Sequence, residues 1–296
     1  MRECLFYEKE ENDLVQCQAC HHFCLIKPGE TGICGVRKNV GGKLRLLVYG
    51  HPITIARDPI EKKPFYHFLP GSYALSLGTF GCNFRCANCQ NYDISQQKNE
   101  KVMEKYFENQ KEITPEEIIN SAKKNNCLSV AYTYNEPTIW AEYALDIMKL
   151  AHKNGLKNVW VSNGYFSADV LEKIAPFLDA INIDIKSYED KFYQKYIGAK
   201  LNPVLENVKK IKKKNIHLEI TTLIIPMLSD NIEMLKKLAR FIKKELGAET
   251  PWHISAFSSM ISWKLQDLPD TSPEKIREIC AMAKKMGLKN VYGGNI

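Results

Sequence analysis

The sequence predicts an α/β fold: a partial or near-complete (β/α) barrel of six to seven units with a small cysteine-rich lobe at its amino terminus. Two observations support this prediction. From Tyr73 onwards, short apolar runs alternate with amphipathic helical patterns, as in βα units around a parallel sheet. Residues 12–70 are instead rich in Gly, Pro and Cys, with little helical periodicity. We therefore assign residues 1–70 to the lobe and residues 71–296 to the barrel domain.

The predicted strands and helices alternate along the barrel domain. Helices begin most clearly at Thr114-Pro115 and Ser272-Pro273, where a capping residue precedes a first-turn proline and acidic residues. Strands are predicted over residues 74–79, 129–133, 158–162, 180–184, 217–225, 252–256 and 290–292. Helices are predicted over residues 115–124, 138–152, 168–175, 202–213, 231–246 and 273–286. This number of units favours a barrel over a doubly wound sheet, although periodicity alone does not separate the two.

Composition and charge indicate an ordinary globular protein. The 296 residues are 45% hydrophobic and 25% charged, with a formal net charge of +7. The densest basic run, residues 209–214, lies within an amphipathic helical pattern. We interpret it as a solvated helix face rather than a patch that docks nucleic acid or an acidic protein. No apolar stretch reaches membrane-spanning length and the start of the chain is polar, so the sequence predicts a cytoplasmic protein without membrane contacts.

Ten cysteines are distributed unevenly along the chain. Four lie between residues 17 and 34, three lie between residues 82 and 89, and Cys4, Cys127 and Cys280 stand apart. Because the chain is long and has no export signal, metal binding is favoured over disulfide bridging. We expect two possible metal sites, and we interpret the three isolated cysteines as buried, unreactive thiols.

The most specific motif is Gly81-Cys82-Asn83-Phe84-Arg85-Cys86-Ala87-Asn88-Cys89, which directly follows a predicted strand. Structural zinc and ordinary 4Fe-4S clusters take four protein ligands, whereas this loop offers three thiolates. The immediate neighbours include no fourth Cys or His. The loop therefore predicts a metal centre with one position open to a substrate, with structural zinc as the alternative.

This motif resembles the cluster loop of the radical S-adenosylmethionine superfamily. The flanking residues 79–82 and 89–96 resemble the pyruvate formate-lyase activating enzyme group and its AmmeMemoRadiSam branch, and the resemblance extends from about Leu14 to Asn295. It implies an oxygen-sensitive 4Fe-4S cluster whose open iron binds S-adenosyl-L-methionine.

The resemblance also implies what each group does. Cys82, Cys86 and Cys89 would hold the cluster, and reductive cleavage of S-adenosylmethionine would give a 5′-deoxyadenosyl radical that abstracts hydrogen from a substrate. Such an oxidoreductase takes electrons from a low-potential donor such as flavodoxin or ferredoxin.

Four polar residues at predicted strand ends complete the candidate site. Glu136 follows the second strand, and its segment resembles the family's glycine-glycine-glutamate element, with Tyr134-Asn135 in place of the glycines. Asn163 lies in a turn after the third strand, and Asp184 and Lys186 end the fourth on the same side. The resemblance implies that all four bind S-adenosylmethionine. A carboxylate at a helix start and a simple ion pair are the alternatives for Glu136 and for the Asp184 and Lys186 pair.

Cys17, Cys20, Cys24 and Cys34 offer four thiolates in one segment, and this cysteine-rich lead-in also resembles the AmmeMemoRadiSam branch. A structural zinc ion would stabilise a lobe with a small core. An auxiliary iron-sulfur cluster would instead relay electrons or anchor a substrate. The spacing does not distinguish the two, and reduced thiols without metal are the third interpretation.

Three hypotheses for function follow. The first is a radical enzyme that abstracts hydrogen from a glycyl-type site on a protein, as the activating-enzyme resemblance implies. The second is a radical enzyme that modifies RNA or a small metabolite with the same cofactors. The third is a zinc-stabilised module that binds nucleic acid, which predicts no redox-active iron and gives the three-ligand loop no role.

Overall fold

The computed structural model describes residues 1–108 and 110–296. Six short strands lie in the amino-terminal region: β1 (Arg2–Glu3), β2 (Tyr7–Lys9), β3 (Val15–Cys17), β4 (Leu25–Ile26), β5 (Arg37–Val40) and β6 (Lys43–Leu46). They pair antiparallel in two three-stranded sheets, in the orders β1-β6-β5 and β2-β3-β4. Two single 3-10 turns, Glu11–Asp13 and Ile60–Lys62, supply the helical structure of this region.

One sheet of eight strands forms the barrel domain. Its strands are β7 (Thr54–Pro59), β8 (Tyr73–Gly78), β9 (Ser129–Tyr132), β10 (Lys157–Ser162), β11 (Ala180–Asp184), β12 (His217–Ile224), β13 (Trp252–Ala256) and β14 (Val291–Gly294). Strands β8 to β14 are parallel and follow in chain order, and β7 pairs antiparallel with β8 at one edge. Because β14 forms the opposite edge, the sheet is an open, partial barrel. The predicted α/β fold is confirmed, and each of the seven predicted strands forms.

The α-helices pack around this sheet. They are α1 (Tyr92–Ser95), α2 (Glu100–Glu108), α3 (Pro115–Lys124), α4 (Ala141–Lys153), α5 (Ala168–Ile174), α6 (Asp190–Phe192), α7 (Leu201–Lys213), α8 (Ile232–Phe241) and α9 (Pro273–Lys285). π-Helical turns, Tyr193–Ile197 and Ile242–Leu246, extend α6 and α8, and 3-10 turns occupy Pro137–Trp140, Ala175–Phe177 and Ser259–Ile261. All six predicted helices form. In the described part of the chain, no helix is both long and apolar enough to cross a lipid bilayer.

The two helix starts marked by Thr-Pro and Ser-Pro carry the expected caps. Thr114 Oγ1 accepts the backbone N–H of Glu117 at 3.2 Å, and the Glu117 carboxylate accepts that of Thr114 at 2.8 Å. Ser272 Oγ accepts the N–H of Lys275 at 3.2 Å. These bonds satisfy N–H groups that have no partner within the helix.

Helices α1 and α2 are not indicated by the sequence pattern. α1 has four residues, which is too few for a helical period to be visible. α2 is held by tertiary contacts, because the rings of Tyr106 and Phe107 pack against Phe80 at centroid distances of 5.3 and 6.1 Å.

A buried ion pair joins the amino-terminal region to the barrel. Arg37 in β5 donates to Glu142 in α4 at 2.5 and 3.1 Å, and both side chains are 2% exposed. The backbone N–H of Leu5 donates to the same carboxylate. Loss of either partner would leave an uncompensated buried charge, so the pair fixes one docking position. The division into domains at residue 70 stays a prediction, and β7, from the range assigned to the lobe, belongs to the large sheet.

The segment between β7 and β8 closes the end of the barrel where the parallel strands begin. Phe65 is fully buried among Ala131, Val159 and Ala180, from three neighbouring strands. Asn182 Nδ2 donates to the backbone carbonyl of Pro64 at 2.8 Å. We call residues 60–72 the floor segment, since it forms the inner end of the barrel.

Glu219 in β12 fixes the floor segment through a buried polar cluster. Its carboxylate accepts the backbone N–H groups of Tyr66 and His67 at 3.1 and 2.9 Å. It also lies 2.9 Å from His217 Nε2 and 2.6 Å from His253 Nε2. Burial opposes ionisation, but these four hydrogen bonds outweigh it and lower the pKa of the Glu219 carboxyl to about 2. The floor is therefore held by a charged group with no exposed surface.

Candidate functional site

The residues that the sequence analysis selects around the cysteine loop line one cavity of about 460 Å³. The cavity lies at the carboxyl ends of the parallel strands, where the ligand sites of barrel folds gather. Strands β8, β9, β10 and β11 each place residues there, at their last position or in the loop that follows. The lining includes Cys82, Cys86, Cys89, Glu136, Asn163, Asp184 and Lys186.

The three cysteines occupy a tight loop directly after β8. Cys82 and Cys86 are buried, and Cys89 is partly exposed. The loop begins at Gly81, whose φ is +85° and whose position would place a Cβ atom 2.5 Å from the backbone oxygen of Cys34. Only glycine combines this backbone conformation with so close an approach. The loop therefore takes its shape against the amino-terminal region.

The surroundings of these thiols fit an iron-sulfur cluster with one thiolate per iron. The backbone N–H of Phe84 donates to Cys82 Sγ at 3.4 Å, and Ser95 Oγ lies 3.1 Å from Cys89 Sγ. Such donors stabilise negative charge on sulfur ligands. Burial raises the pKa of the Cys82 thiol and raises that of Cys86 to about 12. Metal ions compensate this cost when they bind the thiolate form.

Glu136 connects the ends of β9 and β10. Its Oε1 accepts from Thr138 N at 3.1 Å, Thr138 Oγ1 at 2.5 Å and Ser162 Oγ at 2.9 Å, and its Oε2 accepts from Asn163 N at 2.7 Å. Burial raises the pKa of this carboxyl, although the hydrogen bonds favour the ionised form. Glu136 therefore caps the following turn, which is the alternative role of a carboxylate at a helix start. Its Oε2 also keeps a lone pair for a further donor such as an ammonium group.

Asp184 and Lys186 form an ion pair on the cavity wall, with Lys186 Nζ 2.9 Å from Asp184 Oδ2. Burial lowers the pKa of Lys186, but the Asp184 carboxylate and the nearby Cys86 outweigh it, so the pKa lies above its usual value. The lysine thus stays protonated. The ion pair expected as an alternative is present, and it lines the cavity rather than lying apart from it.

Two residues that replace the family's glycines also shape the site. Tyr134 has a φ of +69°, a conformation that favours glycine, and its hydroxyl donates to Asp58 at 2.5 Å while Lys63 Nζ lies 4.2 Å from its ring centroid. Asn135 Nδ2 donates to the backbone oxygen of Gly81 at 2.9 Å and so braces the cysteine loop. These roles are not predictable from the sequence, because no local pattern links residue 134 to residues 58 and 63.

The amino-terminal cysteines lie behind the loop rather than in the cavity lining. Cys17, Cys20 and Cys34 are buried and Cys24 is partly buried. Cys4, isolated in sequence, lies close enough to Cys17 and Cys34 for their charges to interact. Across residues 1–108 and 110–296, no three His, Cys, Asp or Glu side chains form a group that could hold a single metal ion. A metal at these cysteines stays a prediction.

Comparisons with known proteins find a family match that includes the cysteine loop. The profile of the radical SAM superfamily matches residues 77–242. An uncharacterized protein of Methanocaldococcus jannaschii is 43% identical over 296 residues, which cover 100% of this chain and 86% of that protein. The pyruvate formate-lyase-activating enzyme of Clostridium pasteurianum is 24% identical over 220 residues, 70% of this chain and 88% of that enzyme.

A solved structure shares the fold. It is a domain of pyruvate-formate lyase-activating enzyme from Bacteroides vulgatus, with a TM-score of 0.50 and 15% identity, over 56% of this chain and 99% of that domain. At this identity the similarity concerns the arrangement of strands and helices alone.

Proposed function

Because this chain belongs to the radical SAM superfamily, we propose that Cys82, Cys86 and Cys89 hold the 4Fe-4S cluster that membership implies. The supporting observation is that these thiols share one cavity with the charged residues expected to bind S-adenosylmethionine. When bound, the reduced cluster supplies the electron that breaks a carbon–sulfur bond of S-adenosylmethionine and starts hydrogen abstraction from the substrate. The residues of the chain bind, orient and shield these groups.

Three charged residues of the cavity could bind the two charged ends of the methionyl group of S-adenosylmethionine. Lys186 offers an ammonium group to the methionyl carboxylate, and Asp184 and Glu136 offer carboxylates to the methionyl ammonium group. Asn163 presents the turn that follows β10 at the same wall. All four therefore act in binding and orienting S-adenosylmethionine.

Replacement of Lys186 by methionine should weaken the binding of S-adenosylmethionine to the cluster-loaded protein at least tenfold, or by about 1.4 kcal/mol. The reason is the loss of a charge-assisted contact in a partly buried site. Equilibrium titration with S-adenosylmethionine measures the Kd. Lys213→Met, on the exposed side of α7, is the control and should retain the wild-type Kd. A wild-type Kd in Lys186→Met would remove this lysine from the proposed site.

For the substrate we propose a glycyl-type site on a protein. The name of the Clostridium pasteurianum relative supports an activating-enzyme type, and the size of the cavity is a second argument. Small-molecule sites have volumes of roughly 300–1,000 Å³. The 460 Å³ of this cavity must accommodate both the cluster and S-adenosylmethionine, which leaves little room for a further enclosed ligand. A protein segment that reaches the mouth of the cavity needs no such room.

We also propose a metal at Cys17, Cys20, Cys24 and Cys34, either zinc or an auxiliary iron-sulfur cluster. The four thiols lie close enough to one another for their charges to interact, which supports a common site, and a single zinc ion would require the side chains to move closer together. A low-potential electron donor such as flavodoxin or ferredoxin would reduce the 4Fe-4S cluster at Cys82, Cys86 and Cys89.

Anaerobic reconstitution, followed by iron, sulfide and zinc analysis, tests the cofactors. We expect about four irons and four sulfides for the 4Fe-4S cluster, with zinc or additional iron at the amino-terminal cysteines. Dithionite should then drive the formation of 5′-deoxyadenosine. Iron-loaded protein that forms none would overturn the proposed cleavage of S-adenosylmethionine, and protein that binds zinc alone would favour the zinc module. The alternative is that RNA or metabolite fractions stimulate the formation of 5′-deoxyadenosine. If they do, and electron paramagnetic resonance detects no radical on a protein, the proposal of a protein substrate is wrong.

A further inference from the structure

The cysteine loop is held between two segments that follow strands β11 and β13. The backbone N–H of Ala87, the residue next to Cys86, donates to the carbonyl of Tyr196 at 2.8 Å. The carbonyl of Ala87 accepts the backbone N–H of Lys264 at 2.8 Å. Neither Tyr196 nor Lys264 lines the cavity. This contact region therefore lies beside the cavity, and a protein bound there need not enter it.

The contact region carries positive charge without a carboxylate partner. Lys264 Nζ lies 4.0 Å from the ring centroid of Trp263, and Lys195 Nζ lies 5.0 Å from that of Tyr196. Both lysines are exposed, and in the described part of the chain neither forms an ion pair. Their neighbours in sequence add no negative charge, because residues 191–200 and 258–266 include no Asp or Glu. An acidic partner would therefore find two uncompensated cations next to the cysteine loop.

Exposed apolar side chains accompany these charges. Met260 is 86% exposed and Ile261 is 46% exposed, and both precede Lys264 in the segment after β13. Tyr196 and Trp263 are partly exposed. Exposed apolar groups bordered by charge mark sites of protein interaction, where aromatic residues and Met are enriched. We call this region the loop-side surface, and it is formed by Lys195, Tyr196, Met260, Ile261, Trp263 and Lys264.

We propose that the loop-side surface docks the acidic electron-transfer protein, a flavodoxin or a ferredoxin, that reduces the 4Fe-4S cluster. This inference rests on the proposed cluster at Cys82, Cys86 and Cys89. Negative charge near a redox centre lowers its reduction potential, so low-potential carriers are commonly acidic. Their charge complements the two lysines, and such steering accelerates the encounter of transient partners. In the complex the reduced carrier gives up one electron and the cluster accepts it.

Lys195→Gln/Lys264→Gln tests the surface. The substitutions remove both charges and leave the backbone contact of residue 264 with Ala87. Lys212→Gln/Lys213→Gln, at the exposed carboxyl end of α7, removes the same charge elsewhere and is the control. Isothermal titration calorimetry with oxidised flavodoxin or oxidised ferredoxin measures the Kd. Stopped-flow absorbance measures the second-order rate constant of cluster reduction by each reduced carrier.

For Lys195→Gln/Lys264→Gln at low ionic strength, we expect a Kd about fivefold higher or more and a rate constant about fivefold lower or more. Both differences should shrink as salt is added, because salt screens exposed charges. Lys212→Gln/Lys213→Gln should match the wild type. Dithionite, a small reductant that needs no docking, should reduce the wild type and both variants at equal rates.

Wild-type binding and reduction in Lys195→Gln/Lys264→Gln would overturn the inference, and so would an equal loss in the control. A wild type that dithionite reduces but neither carrier reduces would overturn it as well. If the double variant does not load iron, Lys195→Gln and Lys264→Gln are measured singly, and each should show about a twofold loss or more. Failure of both to load would give the lysines a structural role instead. Iron-loaded wild type that dithionite does not reduce would overturn the proposed function itself.

Discussion

Replacing Cys86 by alanine is expected to abolish the formation of 5′-deoxyadenosine, with a loss of at least about 100-fold. The buried Cys86 is one of three thiols in the cavity, and its removal leaves one iron without a protein ligand. Changes to groups that hydrogen-bond to a metal ligand lower metal affinity or activity roughly 10–100-fold. Loss of the ligand itself should therefore lower activity further. Iron, sulfide and 5′-deoxyadenosine are measured on the same anaerobic preparations.

Cys280→Ala is the control for this experiment. Cys280 is a partly buried thiol in α9, outside the lining of the cavity. This variant should load and react as the wild type does. Cleavage at the wild-type rate in Cys86→Ala would contradict the assignment of the cluster ligands.

Glu219→Ala is expected to lower the free energy of unfolding by about 3–5 kcal/mol. The substitution leaves the partly buried backbone N–H groups of Tyr66 and His67 without their acceptor. It also removes the partner of two histidines. Urea unfolding at neutral pH measures the change. Glu233→Ala, in the exposed first turn of α8, is the control and should shift the urea midpoint little. Equal midpoints for the two variants would refute the anchoring role of Glu219.

The same carboxylate gives this effect a pH dependence. The pKa of Glu219 is about 2 in the folded chain against an ordinary value of 4.5, so its stabilisation is present above about pH 4.5 and is lost as the pH falls from there towards 2. The shift corresponds to roughly 3 kcal/mol. The stability difference between wild type and Glu219→Ala should therefore be smaller at pH 3 than at pH 7. A difference that does not change with pH would show that the lost contacts, rather than the charge, stabilise the floor segment.

Local patterns were enough to predict the seven parallel strands and six of the helices, and they select several residues that line the cavity. The cysteine spacing selects the loop after β8, and the positions of Glu136 and Asp184 at strand ends select the same edge of the sheet. The strands and helices are predictable because each depends on residues close in sequence, and the residues selected at strand ends share a cavity because parallel strands end together.

The floor of the barrel could not be predicted in this way. β7 ends in a proline, lies in a region without helices and pairs antiparallel, so nothing in its sequence indicates membership of the large sheet. The pairing of Glu219 with residues 66 and 67 depends on that topology.

The close approach of Gly81 to the carbonyl of Cys34 makes the shape of the cysteine loop depend on the amino-terminal part of the chain. A continuous apolar core crosses the boundary between them, and the wall that shapes the cysteine loop belongs to the amino-terminal part. A fragment that starts at residue 71 would expose that core and lose that wall. Residues 71–296 alone should therefore be less stable than the same residues within the whole chain.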